Sequence, residues 1–438
     1  MQNDHFLPAG WTMSSIGDVA TYLNGRAFKP SEWEELGLPI IRIQNLNDAD
    51  AAYNYSTKIY EDRYVVKNGD LLFAWAASLG AFIWRGQDAW LNQHIFKVVP
   101  KIDKHFLYYL LLRTISEIYA KTHGSGMVHI TKGVFEATPI ALPPLAEQGR
   151  IVAKIEELFS KLDKGVESLT TAREHLDVFR LVVLHQTTSG QNGSPFPLKP
   201  LDELIGPIGQ GWSPKCDVNT PAQDEEWAII KTTAVQPMSY LPHECKPLPP
   251  DLQPRPGIAI QDGDLLMTRK GPRPRTGVVC YVKKARPRSM LCDTVYRFRA
   301  LEKFVLPEYL EVALNSPSIV QEINARKSGI SESGISLNHG KLRSLLIPVP
   351  EDFATQKRIV QTVGECLSEV EHATALLDDQ VRRVGALRHS VLKRALSGRL
   401  LPQNNSDEPA SVLLERICAG QETTKTRRNN MNGGKQAA

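Results

Sequence analysis

Long uninterrupted apolar runs are missing from this 438-residue chain. No stretch is long enough to span a bilayer, and residues 1–11 are too polar for a secretory signal. Cysteine is scarce as well: the six present form no CxxC pair and no spacing with histidine that resembles a zinc site. Cys280, Cys292 and Cys366 fall in apolar patterns and read as core thiols, so a reducing cytoplasm is the expected compartment, with no membrane partner. Strong net charge is absent too; 52 basic against 48 acidic residues leave +4, which selects no partner by itself. Also missing are an Asn-Pro-Pro-aromatic methyltransferase motif, a GxxxxGK[ST] phosphate loop, a convincing catalytic dyad and a metal cluster. Gly124-Ser125-Gly126 is better read as a loop entering the element around Ile130 than as a phosphate cradle. The sequence therefore offers no recognised catalytic motif to start from.

What is present is a duplication. Gln148-Gly149-Arg150-Ile151-Val152 returns as Gln356-Lys357-Arg358-Ile359-Val360, and Ser189-Gly190 returns as Ser397-Gly398, both 208 residues on. Equal offsets mean that no insertion separates the copies across the whole stretch. Within each copy the apolar positions step alternately by three and four. The first runs Ile151, Ile155, Leu158, Leu162, Gly165, Leu169, Ala172, Leu176, Phe179, Val183. The second runs Ile359, Val363, Cys366, Val370, Ala373, Leu377, Gln380, Val384, Leu387, Val391. A 3.5-residue period keeps one seam facing a partner helix, as in a coiled coil. Pro143-Pro144 and Pro350 lie just upstream, and Gly190 and Gly398 stand where a helix would stop. At 1.5 Å per residue, about 40 residues make a rod of roughly 60 Å. Gly165 and Gln380 weaken the seam. A lone helix of this kind is marginal in water, so each needs a partner. Packing of each rod on its own globular segment is the alternative; matched length and register favour the other rod.

The segments ahead of the rods repeat less cleanly. Ile41-Arg42 parallels Ile230-Lys231, and Gly69-Asp70-Leu71-Leu72 recurs as Gly263-Asp264-Leu265-Leu266. Residues 91–97 align with 291–297, and residues 130–135 with 337–342. Apolar and glycine positions match while the polar positions between them differ, as expected of one scaffold presenting two surfaces. Residues 65–75 and 258–269 read as turn-to-strand units, with Asn68-Gly69 and Asp262-Gly263 as turn signals; 106–119 and 308–324 read as helical. Each head is thus α+β, about 150 residues, and large enough for its own core. The expected division is head 1–148, helix 149–190, head 191–355, helix 356–400, a C-terminal segment 401–420 and a disordered tail 421–438.

Charge is unevenly placed. Residues 269–299 hold ten bases (Arg269, Lys270, Arg273, Arg275, Lys283, Lys284, Arg286, Arg288, Arg297, Arg299) and one acid, Asp293. Such a patch can neutralise phosphates and release counterions.

Residues 140–152, Ile-Ala-Leu-Pro-Pro-Leu-Ala-Glu-Gln-Gly-Arg-Ile-Val, resemble the junction between recognition domain and helix in specificity subunits of type I restriction-modification enzymes. Residues 347–350 followed by 356–360 form the second junction, and residues 395–402 with 407–414 resemble that family's ending. The likeness covers roughly residues 10–418. It implies two target-recognition domains, each reading one half of a split double-stranded DNA site, with the helices paired as an antiparallel coiled coil under pseudo-twofold symmetry. It further implies two modification subunits that methylate adenine with S-adenosylmethionine, and restriction subunits, up to two, that can join and use ATP and Mg. No cofactor is expected in this chain. At the second junction Thr355 replaces the Glu147 of the first, which puts the local capping in doubt.

Arginine suits guanine, and asparagine or glutamine suits adenine, because each bonds bidentately. In the first head the expected DNA contacts are Arg42, Gln44 and Asn45, then Trp75 and Ser78, then Asn92, Gln93 and His94. Equivalent places in the second are Lys231, Thr232 and Thr233, then Arg269, Lys270, Arg273 and Arg275, then Asp293 and Thr294. Trp75 aligns with Arg269, so the heads should prefer different bases; Lys132 and Lys341 are expected at phosphates. A duplicated coiled-coil scaffold that binds only proteins is the competing reading, and the basic stretch argues against it.

Overall fold

The computed structural model describes residues 7–420 except 49, 77–78, 122–130, 192, 217–221, 224 and 330, and within these all side chains but those of 116–121 and 191. The Gly124-Ser125-Gly126 segment, Ser78 and the tail 421–438 therefore lie outside the described residues. The chain divides into two compact units: Met1–Ser168 together with Gln380–Ala438, and Leu169–Asp379. Both boundaries fall inside the long helices, Leu145–Ser189 and Phe353–Ala395. The rods are thus not separate from the heads, because the helix ends carry part of each head's core. The helices begin at 145 and 353 rather than 149 and 356, and the second ends at 395 rather than 400. It stops ahead of Gly398, whose φ of +67° suits glycine and where a Cβ would collide with Pro8.

In the first unit, Thr12–Ser15 pairs with Pro139–Leu142. A four-stranded antiparallel sheet runs in the order Ala20–Asn24, Ile95–Pro100, Leu71–Ala74, Gly80–Ile83. A second sheet runs Asn54–Ser56, Leu38–Ile41, Ala89–Leu91, Val65–Val66, its central pair parallel. Strand Leu71–Ala74 is buried on both faces. Leu71 and Phe73 face a core with Tyr22, Phe96 and Phe135, while Leu72 and Ala74 face Ile41, Leu91 and Ile95. Gly69, at φ +87°, makes the turn into this strand.

The second unit repeats the order. Leu198–Pro200 pairs with Leu346–Pro348, and Gly209–Gln210, Val295–Phe298, Leu265–Thr268 and Val279–Tyr281 form the four-stranded sheet. Cys245–Pro247, Ala228–Ile230 and Ser289–Met290 form the other, again with a parallel pair. The counterpart of Val65–Val66 is reduced to one bridge, Ala259 to Met290. Lys104–Lys121 is continuous, as expected, but the helix expected over 308–324 is two, Pro307–Leu314 and Pro317–Arg326. Pro317 has no N–H to give the preceding turn and holds Ser316 extended at ψ 145°, so the helix restarts there.

Within each unit the two long helices run antiparallel. In the first, Arg150 pairs with Asp407 and Asp163 with Arg388, while Ile151, Ile155, Leu392 and Ala395 enter the head's core. In the second, Arg173 bonds Asp378 at 2.9 Å, and Val183 and Leu184 join Ile359 and Val363 in the core. Ile155, Val363 and Val370 are buried, and Leu158, Leu162, Leu169, Leu176, Leu377 and Val384 are half-buried. Leu387 departs from the expected seam: it is 51% exposed, and Arg388 turns inward over the Phe159 ring instead. Gly165, Phe179 and Gln380 are likewise exposed, with Val166 and Arg180 half-buried beside the first two. A straight helix slips about 20° per heptad against a 3.5-residue repeat, so the strict three-four pattern walks off the contact line. Among the described residues, no helix is long and apolar enough to cross a membrane.

Candidate nucleic-acid interface

Parallel pairing brings the exits of two strands together in each head. In the first, Leu38–Ile41 leads into Arg42, which precedes the short helix Ile43–Asn47. Its neighbour Ala89–Leu91 leads into Asn92-Gln93-His94, and the Asn92 N–H donates to the Ile41 carbonyl at 3.2 Å. Trp75, leaving Leu71–Ala74, donates its N–H to the His94 carbonyl at 3.2 Å. Three segments distant in sequence thus converge on one end of the strands. The second head builds the same corner. Arg269 donates its N–H to the Thr294 carbonyl at 2.8 Å, and the Thr232 and Thr294 hydroxyls lie 3.1 Å apart. Lys231, Thr232, Thr233, Asp293 and Thr294 line a cavity of about 570 Å³ there.

Side chains at the corner differ between heads over a shared support. Trp75 stacks on Phe96 with ring centroids 5.8 Å apart and meets His94 edge-on at 5.6 Å. Arg269, its aligned counterpart, lies over Tyr296, the counterpart of Phe96, at 5.3 Å. Gln44, Gln93, His94, Thr233, Lys270, Arg273, Lys132 and Lys341 are exposed; Arg42, Trp75, Asn92, Lys231, Thr232, Arg269, Arg275 and Thr294 are half-buried. Arg42 lies 5.3 Å from the Trp33 ring. Thr233 donates to Glu244 at 2.6 Å and Lys231 approaches the same carboxylate at 3.7 Å; the hydroxyl first, then the lysine, holds Glu244 below the usual carboxylate range.

Two expected base readers have other work. Asn45 is buried; its amide donates to the carbonyls of Ala51 (3.0 Å) and Ala52 (3.1 Å) and accepts from the Arg42 N–H (3.1 Å). Arg275 donates to the carbonyls of Thr232 (3.0 Å) and Val235 (2.7 Å) and to the Gln236 amide oxygen (2.9 Å). Both fasten the loops that carry the other candidate contacts: both N–H donors of the buried Asn45 amide go to carbonyls, and three donors of Arg275 go to loop acceptors. Arg273 bonds Glu332 at 2.9 Å, and Lys132 donates to the Tyr22 carbonyl at 2.8 Å beside Glu136.

The residues that tie head to helix escaped the sequence reading of the site. Gln148 is fully buried, donating to the Pro143 carbonyl (3.0 Å) and accepting from the Asp103 N–H (2.9 Å). Gln356 repeats this, donating to Pro350 (3.0 Å) and accepting from Leu306 (2.8 Å). Their recurrence at the same offset was the available signal. At the neighbouring position the copies part: Glu147 is buried, accepts from the Trp11 indole at 3.0 Å and has its carboxyl pushed up by burial. Thr355 instead gives its N–H to Asp352 at 2.7 Å, so a helix N-cap replaces the buried acid. Among the described residues no group of three or more histidine, cysteine, aspartate or glutamate side chains could hold a metal.

Residues 8–169 match the type I restriction modification DNA specificity domain, a span ending where the first unit's share of the first long helix ends. Over 165 residues the chain is 36% identical to the type I restriction enzyme EcoEI specificity subunit of Escherichia coli, a match spanning 38% of this chain and 28% of that protein. It is 27% identical to the EcoBI specificity subunit of the same species over 93% of this chain and 92% of that one. A chain from a solved structure of a type I R-M system superimposes with TM-score 0.65 at 17% identity, covering 90% of this chain and 99% of that chain, which supports the α+β fold. The chain is thus similar to type I restriction enzyme specificity subunits, through the domain match over residues 8–169 and at 27% identity over nearly its whole length.

Proposed function

We propose that this chain is the DNA sequence-specificity subunit of a type I restriction-modification complex and that each head reads one half of a split double-stranded target. One observation carries the reading. In both heads the same strand exits converge, held by matching backbone bonds, while the side chains offered there differ. Shared support with unlike polar groups is what two half-sites of unlike sequence require. Of the ten bases in residues 269–299, the exposed Lys270, Lys283 and Lys284 supply attraction to phosphates in the second head, while Arg273, Arg275, Arg286, Arg288, Arg297 and Arg299 bond acceptors of the chain itself. Gln93, His94, Lys231 and Arg269 are the first choices at base edges, with Lys341 at a phosphate.

Catalysis belongs to partners under this proposal. Two modification subunits would bring S-adenosylmethionine and methylate one adenine in each half-site, and two restriction subunits would bring ATP and Mg. The complex would act in a bacterial or archaeal cytoplasm, with the length of the helices setting the spacer of the target. Mapping of N6-methyladenine in cells that hold this chain and its methyltransferase partner should yield a two-part motif. A continuous motif would overturn the two-head reading. The purified chain alone, given S-adenosylmethionine and mixed DNA, should transfer no methyl group.

A further inference from the structure

In the first head, strand Ala89–Leu91 leaves into a loop whose backbone is pinned from the side. The Arg26 N–H donates to the Leu91 carbonyl at 2.8 Å, and a Cβ on Gly25 would collide with the Asn92 carbonyl. The second head pins the same loop the same way: the Trp212 N–H donates to the Leu291 carbonyl at 2.9 Å, and a Cβ on Gly211 would collide with that carbonyl. Only glycine allows so close a backbone approach. With the backbone fixed, the loop tips carry different side chains: Gln93 and His94 are exposed in the first head, and in the second Asp293 is exposed beside half-buried Thr294.

Asp293 is chemically out of place. It is the one acid among the described residues lining the cavity at this corner, where Lys231 and Lys246 are the bases. A surface that approaches phosphates repels an exposed carboxylate unless the carboxylate meets a donor. Asp293 is also held in one orientation. Its Oδ1 accepts from the Ser213 hydroxyl, and the same hydroxyl oxygen accepts from the Asp293 N–H at 3.1 Å. Oδ2 remains as an acceptor. In the major groove a pure acceptor fits the N4 amino group of cytosine; beside the adenine N6 donor stands N7, a second acceptor that a carboxylate cannot satisfy. A glutamine carries both halves of the adenine pattern, with Oε1 for N6–H and Nε2 for N7.

We propose that Asp293 reads a cytosine in the half-site of the second head and that Gln93, at the same loop position, reads an adenine in the half-site of the first. The proposal rests on the DNA-reading function above and adds the base each loop requires.

The test uses the full chain in complex with its methyltransferase subunits, acting on a plasmid library randomised around the recognised motif, with methylated adenines mapped by sequencing. The unaltered complex should require a G·C pair at one position of one half-site. Asp293→Asn should relax that requirement on the order of 10- to 100-fold, towards adenine, and leave the other half-site unchanged. Gln93→Glu should do the reverse in the other half-site, exchanging a required adenine for cytosine. Unchanged motifs in both variants would overturn the proposal, and so would equal loss on every sequence from each of them. A continuous motif from the unaltered complex would instead remove the two-head reading itself, before either substitution is made.

Discussion

Strand Leu71–Ala74 in the first head and Leu265–Thr268 in the second place alternate residues in two cores in the same way: Leu71 and Phe73 on one face, Leu265 and Met267 on the matching one. One residue further on they diverge, with Trp75 stacked on Phe96 and Arg269 laid over Tyr296. Whatever fixes the backbone has been kept: the glycine turn before the strand, the pinning glycines Gly25 and Gly211, and the buried glutamines Gln148 and Gln356. Whatever faces outward at the strand exits has changed. A reader can change its bases at little cost in stability only if the groups that hold it are not the groups that read. The heads also differ inside. Glu311 of the second head is buried and accepts from the Tyr281 N–H at 2.6 Å, and burial pushes its carboxyl up to about 7.

The largest effect should come from breaking what the heads share. Gln148→Ala and Gln356→Ala each leave a part-buried N–H and a buried carbonyl without their partner, and each should cost about 3 kcal/mol. Hydrogen exchange at Asp103 and at Leu306 should accelerate correspondingly; a loss in only one head would show that the clamp is not equivalent. Glu311 sharpens the contrast from the other side. Between about pH 4.5 and pH 7 the folded chain keeps a proton that the unfolded chain has released, so stability falls as pH rises through that window. Glu311→Gln keeps the acceptor for Tyr281 and should flatten the decline, gaining on the order of 3 kcal/mol in denaturant melts at pH 8.

Within the second head, Arg275→Ala should cost about 2 kcal/mol and depress methylation of all sequences alike, because three loop acceptors lose their donor. Arg269→Ala should instead relax one half-site, with little change in melting. If the two variants have the same motif profile, the division between holding and reading residues fails. The smallest effect belongs to Arg173→Ala, whose ion pair with Asp378 is exposed on both sides. It should change stability by less than about 1 kcal/mol in the same melts.

Much of the fold was legible because it is written twice. Gly69-Asp70-Leu71-Leu72 and its copy mark a turn and a buried strand, and the junction motif marks where each long helix begins. Leu387 was misplaced because a three-four count has no means of detecting the slow rotation of a straight helix. The break at Ser316-Pro317 has a signal in the letters, the proline, but the apolar period continues across it and masks the restart. At the site, the alignment of the copies picked out three segments, and the pairing of the strands brings them to one end. The roles of Asn45 and Arg275 did not. Their partners are backbone carbonyls six to forty-three residues away, and a carbonyl has no signature in a sequence.

Taken alone, the sequence determined that two similar α+β heads are each followed by a long helix of equal phase, since periodicity and repetition are local properties of the chain. Only the tertiary structure decided which polar side chains hold the loops and which are left exposed at the strand exits. Whether an amide or guanidinium meets a buried carbonyl or open solvent depends on strands paired across long separations, and that pairing is fixed by packing rather than by any short run of residues.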